Sequence, residues 1–91
     1  MTLRLYVSGQ ALNSRVAIRN LEALREVLTD QVSVEVIDVR ERPELAEEDR
    51  IIATPTLVRR TPTPVRKIIG DLSDTRRVLV GLEIETAGNP G

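Results

Sequence analysis

The chain of 91 residues contains no cysteine, histidine, tryptophan or phenylalanine, and Tyr6 is its only aromatic side chain. Each absence removes a class of chemistry. Without cysteine there is no disulfide, no thiolate nucleophile and no thiolate metal site. Without histidine there is no imidazole to move protons near neutral pH, and no ordinary zinc site. Stacking platforms for single-stranded nucleic acid need aromatics beside positive charge, and one tyrosine does not make one. The core must be built from Leu, Ile, Val and Ala, without the large flat groups that usually dominate burial. Such a core has fewer unique fits, so a second packing close in energy is expected. No apolar run approaches the ~18 residues of a membrane span. The opening "MTLRLYVSG" enters a strand pattern without a signal-peptide pattern, so a cytoplasmic location is expected.

Apolar residues make up 41% and charged residues 30%, ordinary values for one globular domain over residues 1–91. A chain this short buries only roughly 60–65% of its unfolded surface, which leaves a thin stability margin. The formal charge of −1 gives no global attraction to nucleic acid or membranes. Its distribution is uneven. Residues 31–50 carry seven acids and three arginines, while 51–70 carry Arg59, Arg60, Arg66 and Lys67 with no acid. These are either two solvated surfaces or, on the sharper reading, an acidic face and a basic protein-docking patch.

Leu3, Leu5 and Val7 alternate with Arg4, Tyr6 and Ser8, the period of a first strand. "GQALNS" breaks the alternation and offers Asn13 or Ser14 as a helix N-cap. From Ser14 to about Leu28, Ala17, Ile18, Leu21, Leu24, Val27 and Leu28 form one helical stripe. Val32, Val34 and Val36 then alternate again into "VIDV". Strand, long helix and strand predict a βαβ unit with a parallel pair over 3–39. In the second half, 43–86, "RPELAEEDR" with Pro43 at its start reads as a short helix or a charged loop. "TLVRR" and "VRKII" flank "TPTP", which suits a hairpin turn. Residues 72–86 support a helix or a helix followed by a strand, with Asp71 or Ser73 as N-cap, and 87–91 read as a flexible tail.

No catalytic constellation emerges. Glu47, Glu48 and Asp49 are consecutive, so on a helix they diverge and read as a solvated acidic face. Arg15, Arg19 and Arg25 read as an exposed helix face beside Glu22 and Glu26. Gly70-Asp71 lacks a phosphate-loop lysine, and Tyr6 reads as packing. The chain is not expected to be an enzyme, and no cofactor is implied.

"IIATPTLVRR" resembles the strand entry of a thioredoxin-type domain, where a Thr-Pro or Ile-Pro pair faces a reactive Cys-x-x-Cys; "GQALN" stands where those cysteines would. Over residues 3–85, "LYVSG", "VIDV" with "PELAEED", "ATPTL", "PVRKIIGDLSD" and "VLVGLE" resemble the KaiB family in order and spacing. The resemblance implies a thioredoxin-derived docking surface in a regulator of a cyanobacterial-type circadian clock, binding the N-terminal ATPase ring of a KaiC-type protein. KaiA and a SasA-type kinase are the further partners it implies, although Glu35 stands where clock-type members tend to carry lysine on the edge that reaches KaiA. It also implies two folds: a thioredoxin-like βαβαββα monomer and a βαββααβ homotetramer.

The hairpin signal of "TPTP" and the polar Arg60, Thr61 and Thr63 favour the α/β thioredoxin-like monomer. By the same resemblance Arg15, Leu45, Ala46, Arg50, Arg66 and Lys67 are the expected docking residues. Pro55, Pro62, Pro64, Gly81 and Glu83 are the positions expected to govern the choice of fold. Thr54–Pro55 is expected to be cis, and Gly81→Ala to favour a final helix by about 1 kcal/mol. An adaptor or sensory module for a histidine kinase or stress response, without a timing role, is the alternative reading.

Overall fold

A computed structural model describes residues 1–28 and 31–83. The order is β1 (Thr2–Val7), α1 (Leu12–Arg25), β2 (Ser33–Asp38), α2 (Pro43–Glu48), β3 (Thr56–Thr61), β4 (Arg66–Ile69) and α3 (Thr75–Gly81). The four strands form one sheet in the order β2-β1-β3-β4. β1 runs parallel to β2, with Leu5 opposite Val36, and antiparallel to β3, with Leu5 opposite Leu57. β3 and β4 form the antiparallel hairpin expected around "TPTP". The arrangement is the thioredoxin-like one; the tetrameric alternative order is not adopted.

Alternation along the strands divides the interior in two. Leu3, Leu5, Val7, Leu57 and Ile68 pack on one face against Ala17, Leu21 and Leu24 of α1, with Val78 and Leu82 from the α3 segment. On the other face Tyr6, Ile37 and Val58 meet the partly buried Val39, Leu45, Ala46 and Ile51. α2 has no buried residue, so it covers this second face thinly. Pro43 opens α2 as expected, with Glu44 in its first turn.

Three local expectations are corrected. α1 starts at Leu12 with Ala11 at its N-cap and no side-chain cap. Ser14 is buried two residues further on, and its Oγ accepts from the Ser8 amide instead. The helix stops at Arg25, which leaves Val27 exposed. Val36 is exposed because β2 is an edge strand that the helices only partly cover.

α3 resolves the conflict over the C-terminal pattern up to Glu83 in favour of helix. It is capped by Asp74, whose carboxylate accepts from the Arg77 amide at 3.0 Å. Gly81 ends it, and Glu83 follows at φ 56°, the left-handed turn that commonly closes a helix. The strand expected in "LEIET" and the tail at 87–91 lie outside the described residues beyond Glu83. Gly81 has a packing reason to be glycine: a β-carbon there would overlap Cδ1 of Ile68. The expected gain from Gly81→Ala is therefore not available without moving Ile68.

Candidate functional site

β1 ends at Val7, and Ser8, Gly9, Gln10 and Ala11 lead into α1, where a redox thioredoxin would carry its thiolate. Gly9 sits at φ 51° beneath the Arg40 guanidinium, which occupies the space a β-carbon would need. Its amide donates to Asp38 Oδ2 at 3.1 Å, so the loops after β1 and β2 are tied together. The Asp38 carboxyl is held below its ordinary range, chiefly by the Arg40 amide and side chain, with the Gly9 amide adding to this. The loop offers backbone, the Ser8 hydroxyl and Gln10 but no thiol, and Leu12 at the start of α1 is exposed.

At the same end of the sheet, Pro55 follows a cis Thr54–Pro55 bond, as expected; at the opposite end, in the turn between β3 and β4, Thr61–Pro62 and Thr63–Pro64 are also cis. Pro55 is buried, and its carbonyl accepts from the Gly70 amide at 2.9 Å, fastening the start of β3 to the exit of β4. Thr56 Oγ1 donates to the Ala53 carbonyl at 2.7 Å and holds the preceding loop. Between α2 and this loop runs an apolar groove lined by Val39, Ala46, Ile51, Ile52, Ala53 and Thr54. Ile52 is 88% exposed, far beyond what packing requires.

The residues expected to dock fall into separate places. Arg50 leaves α2 in the left-handed region at φ 54°, and its carbonyl accepts from Lys67 Nζ at 3.4 Å. Arg50 and Lys67 are thus neighbours. Lys67 lies opposite Val58 on β4, so it shares the α2 face with Ile69, two residues on, which is also exposed. Leu45 and Ala46 are half-buried against Tyr6, Ile37 and Val58 and support this surface from below. Arg66 points the other way, pairing with Glu83 at 3.1 Å beside the end of α3. Arg15 is exposed on α1, across the sheet from α2. Four of the six residues therefore form one surface, and two do not join it.

Sequence reasoning missed what holds that surface in place. Tyr6 is fully buried, and its hydroxyl lies between the Leu45 carbonyl, at 3.1 Å, and the Asp49 carboxylate. Arg4 reaches Asp49 at 3.2 Å with Nη1 and Glu35 at 3.2 Å with Nε. Arg60 adds Glu48 at 3.2 Å and Asp49 at 3.7 Å. Asp49 is thus the fixed end of a polar tether between α2 and the sheet, not part of a solvated acidic face. Burial, the Asp49 hydrogen bond and the Asp49 charge push the Tyr6 phenol up to about 12, against the pull of Arg4. The available signal was spacing: Leu45 and Asp49 stand four apart, on one side of a short helix. Arg59 was also misread as surface; it is buried on the opposite face.

A four-stranded sheet of this order with helices packed on both faces defines a thioredoxin-like domain, here with exposed isoleucines and basic side chains on the α2 face. The solved structures agree. The solution structure of the N-terminal domain of Synechococcus elongatus SasA superposes with a TM-score of 0.71 at 29% identity, over 87% of this chain and 77% of that one. Mitochondrial thioredoxin 3 from Saccharomyces cerevisiae gives 0.74 at 23% identity, over 90% and 76%, a likeness of fold.

The KaiB domain family model matches residues 4–84. The circadian clock oscillator protein KaiB of Acaryochloris marina is 54% identical over 83 residues, 90% of this chain and 80% of that protein. The circadian clock protein KaiB3 of Synechocystis is 47% identical over 89 residues, 97% and 87%. The chain belongs to the KaiB family. Among the described residues, no helix is long and apolar enough to cross a membrane.

Proposed function

We propose that this chain is a non-enzymatic regulatory protein of a cyanobacterial-type circadian clock that docks on the N-terminal ATPase ring of a KaiC-type protein. The observation that carries the reading is the contact of Arg50 with Lys67 beside the exposed Ile52 and Ile69, on a face tethered through Asp49. Membership of the KaiB family supports a clock role, and the KaiC-type ring is the partner that the family resemblance implies. A basic rim around exposed isoleucines suits an acidic partner surface with an apolar centre. Leu45 and Ala46 keep this face in shape. Arg15 and Arg66 reach the partner only where it extends round the domain.

The test is co-elution on size exclusion with a KaiC-type ATPase in each nucleotide state. Co-elution in at least one state is expected, and its absence in all of them would sink the proposal. Charge reversal at Arg50 or Lys67 is expected to weaken binding by about 1 kcal/mol or more, roughly fivefold. The same change at Arg15 should cost less.

The likeness to the SasA domain favours a second, compatible reading: this domain competes with a SasA-type kinase for the same ring. Adding that kinase domain to the pre-formed complex tests it by displacement. KaiA is the less favoured partner, since Glu35 at the β2 edge is engaged by Arg4. A thioredoxin-like adaptor without a timing role is the remaining alternative, and binding to a histidine kinase with none to a KaiC-type ring would select it.

A further inference from the structure

Arg59 is the most buried cation among the described residues, with its side chain 5% exposed, and the docking face makes no use of it. On β3 it stands opposite Leu3 of β1 and Arg66 of β4, on the face where Leu57 and Ile68 pack. Its guanidinium reaches two main-chain carbonyls from separate segments. Nη1 donates to Leu82, just past the end of α3, and Nη2 donates to Pro64 at 2.8 Å, just before β4. The Glu83 carboxylate lies 3.9 Å away and also pairs with Arg66. Nε has no hydrogen-bond partner among the described residues.

These two carbonyls bracket the segment from β4 to α3. α3 itself is weakly anchored: Val78 is its one buried residue, and Val80 faces solvent. Its first turn is held by the Asp74 cap, and the Leu82 carbonyl that follows its last residue is held by Arg59. A planar fork can satisfy two carbonyls at once, which a single ammonium cannot.

We infer that Arg59 is a clasp that joins residues 64–82 into one cooperative unit, so that β4 and α3 open from and close onto β3 together. With the fork in place, neither end of the excursion can leave without stripping a buried charge of a partner. The open state returns that charge to water. The clasp therefore sets how often this quarter of the domain opens while β1 and α1 stay folded.

Amide hydrogen exchange, read residue by residue, tests this on the full chain. In the wild type, the slow amides of β4 and α3 should share one opening rate, faster than that of β1. Arg59→Lys, which keeps the charge without the fork, and Arg59→Met, which keeps the stem without donors, should both speed β4 and α3 exchange by roughly tenfold or more. β1 and α1 should change far less. An unchanged rate in α3, or an equal rise in every element, overturns the inference, because Arg59 would then be filler or a general stabiliser.

A second arm needs no variant and stands if these fail to fold. An arginine-specific dicarbonyl reagent, mapped by mass spectrometry, should label Arg59 at the α3 opening rate, far more slowly than exposed Arg76. Labelling of Arg59 only at the β1 opening rate would equally overturn it.

Discussion

Raising the pH past about 10 should cost this domain the attachment of α2, and the arithmetic rests on one phenol. Tyr6 is fully buried, its hydroxyl faces the Asp49 carboxylate, and its pKa moves from 10.0 to about 12. The folded state thus holds this proton more tightly than the unfolded chain does. The sign follows from linkage: the contribution is complete below about pH 10 and is lost as the pH climbs through about 12. At ~1.4 kcal/mol per decade, two decades amount to about 3 kcal/mol. That is a large share of the ~5–10 kcal/mol expected for a small domain.

The assay is simple because no other aromatic residue is present. Near-UV phenolate absorbance and far-UV circular dichroism are followed together from about pH 9 upward. The phenolate signal should stay flat through pH 10 and rise near 12, or rise together with the loss of helix signal. Asp49→Asn keeps an acceptor and removes the charge, so its midpoint should fall but remain above 10, since burial is the first cause. A wild-type midpoint near 10 with unchanged helix signal would refute the argument, because the phenol would then be in water and the tether absent.

Two further perturbations test the second half of the chain. Gly81→Ala should destabilise the domain by ~1 kcal/mol in urea denaturation despite alanine's better helix propensity, since its methyl overlaps Cδ1 of Ile68; Ile68→Val deletes that atom and should rescue the alanine variant in a double-mutant cycle. Asp74→Ala should cost about 1 kcal/mol through loss of the α3 cap, read as a lower urea midpoint with an unchanged slope.

What could be read from the sequence follows the distance over which each residue finds its partners. Leu3, Leu5 and Val7 alternate, and Ala17, Leu21 and Leu24 fall on one stripe, so β1, α1 and the parallel partner β2 were legible from local period alone. The hairpin was legible from its turn, because "TPTP" disfavours helix wherever it stands. The α2 and α3 segments have six and seven residues, too few to show two turns of apolar repeat, and local pattern left both undecided.

Polar residues misled for a different reason. Arg59 and Arg60 look alike in sequence, yet a strand sends neighbours to opposite faces. Arg60 meets Glu48 and Asp49 under α2, whereas Arg59 is acceptable inside only because carbonyls 5 and 23 residues away come to it. Tyr6 and Asp49 are 43 residues apart, and neither is informative without the other. Among the residues expected to dock, adjacency misled in the same way. Arg66 and Lys67 are consecutive, so one strand cannot present both on one face: Arg66 turns to Glu83, and Lys67 turns to Arg50. A basic run on a strand is therefore two half-patches, and the partner's position decides which half it meets.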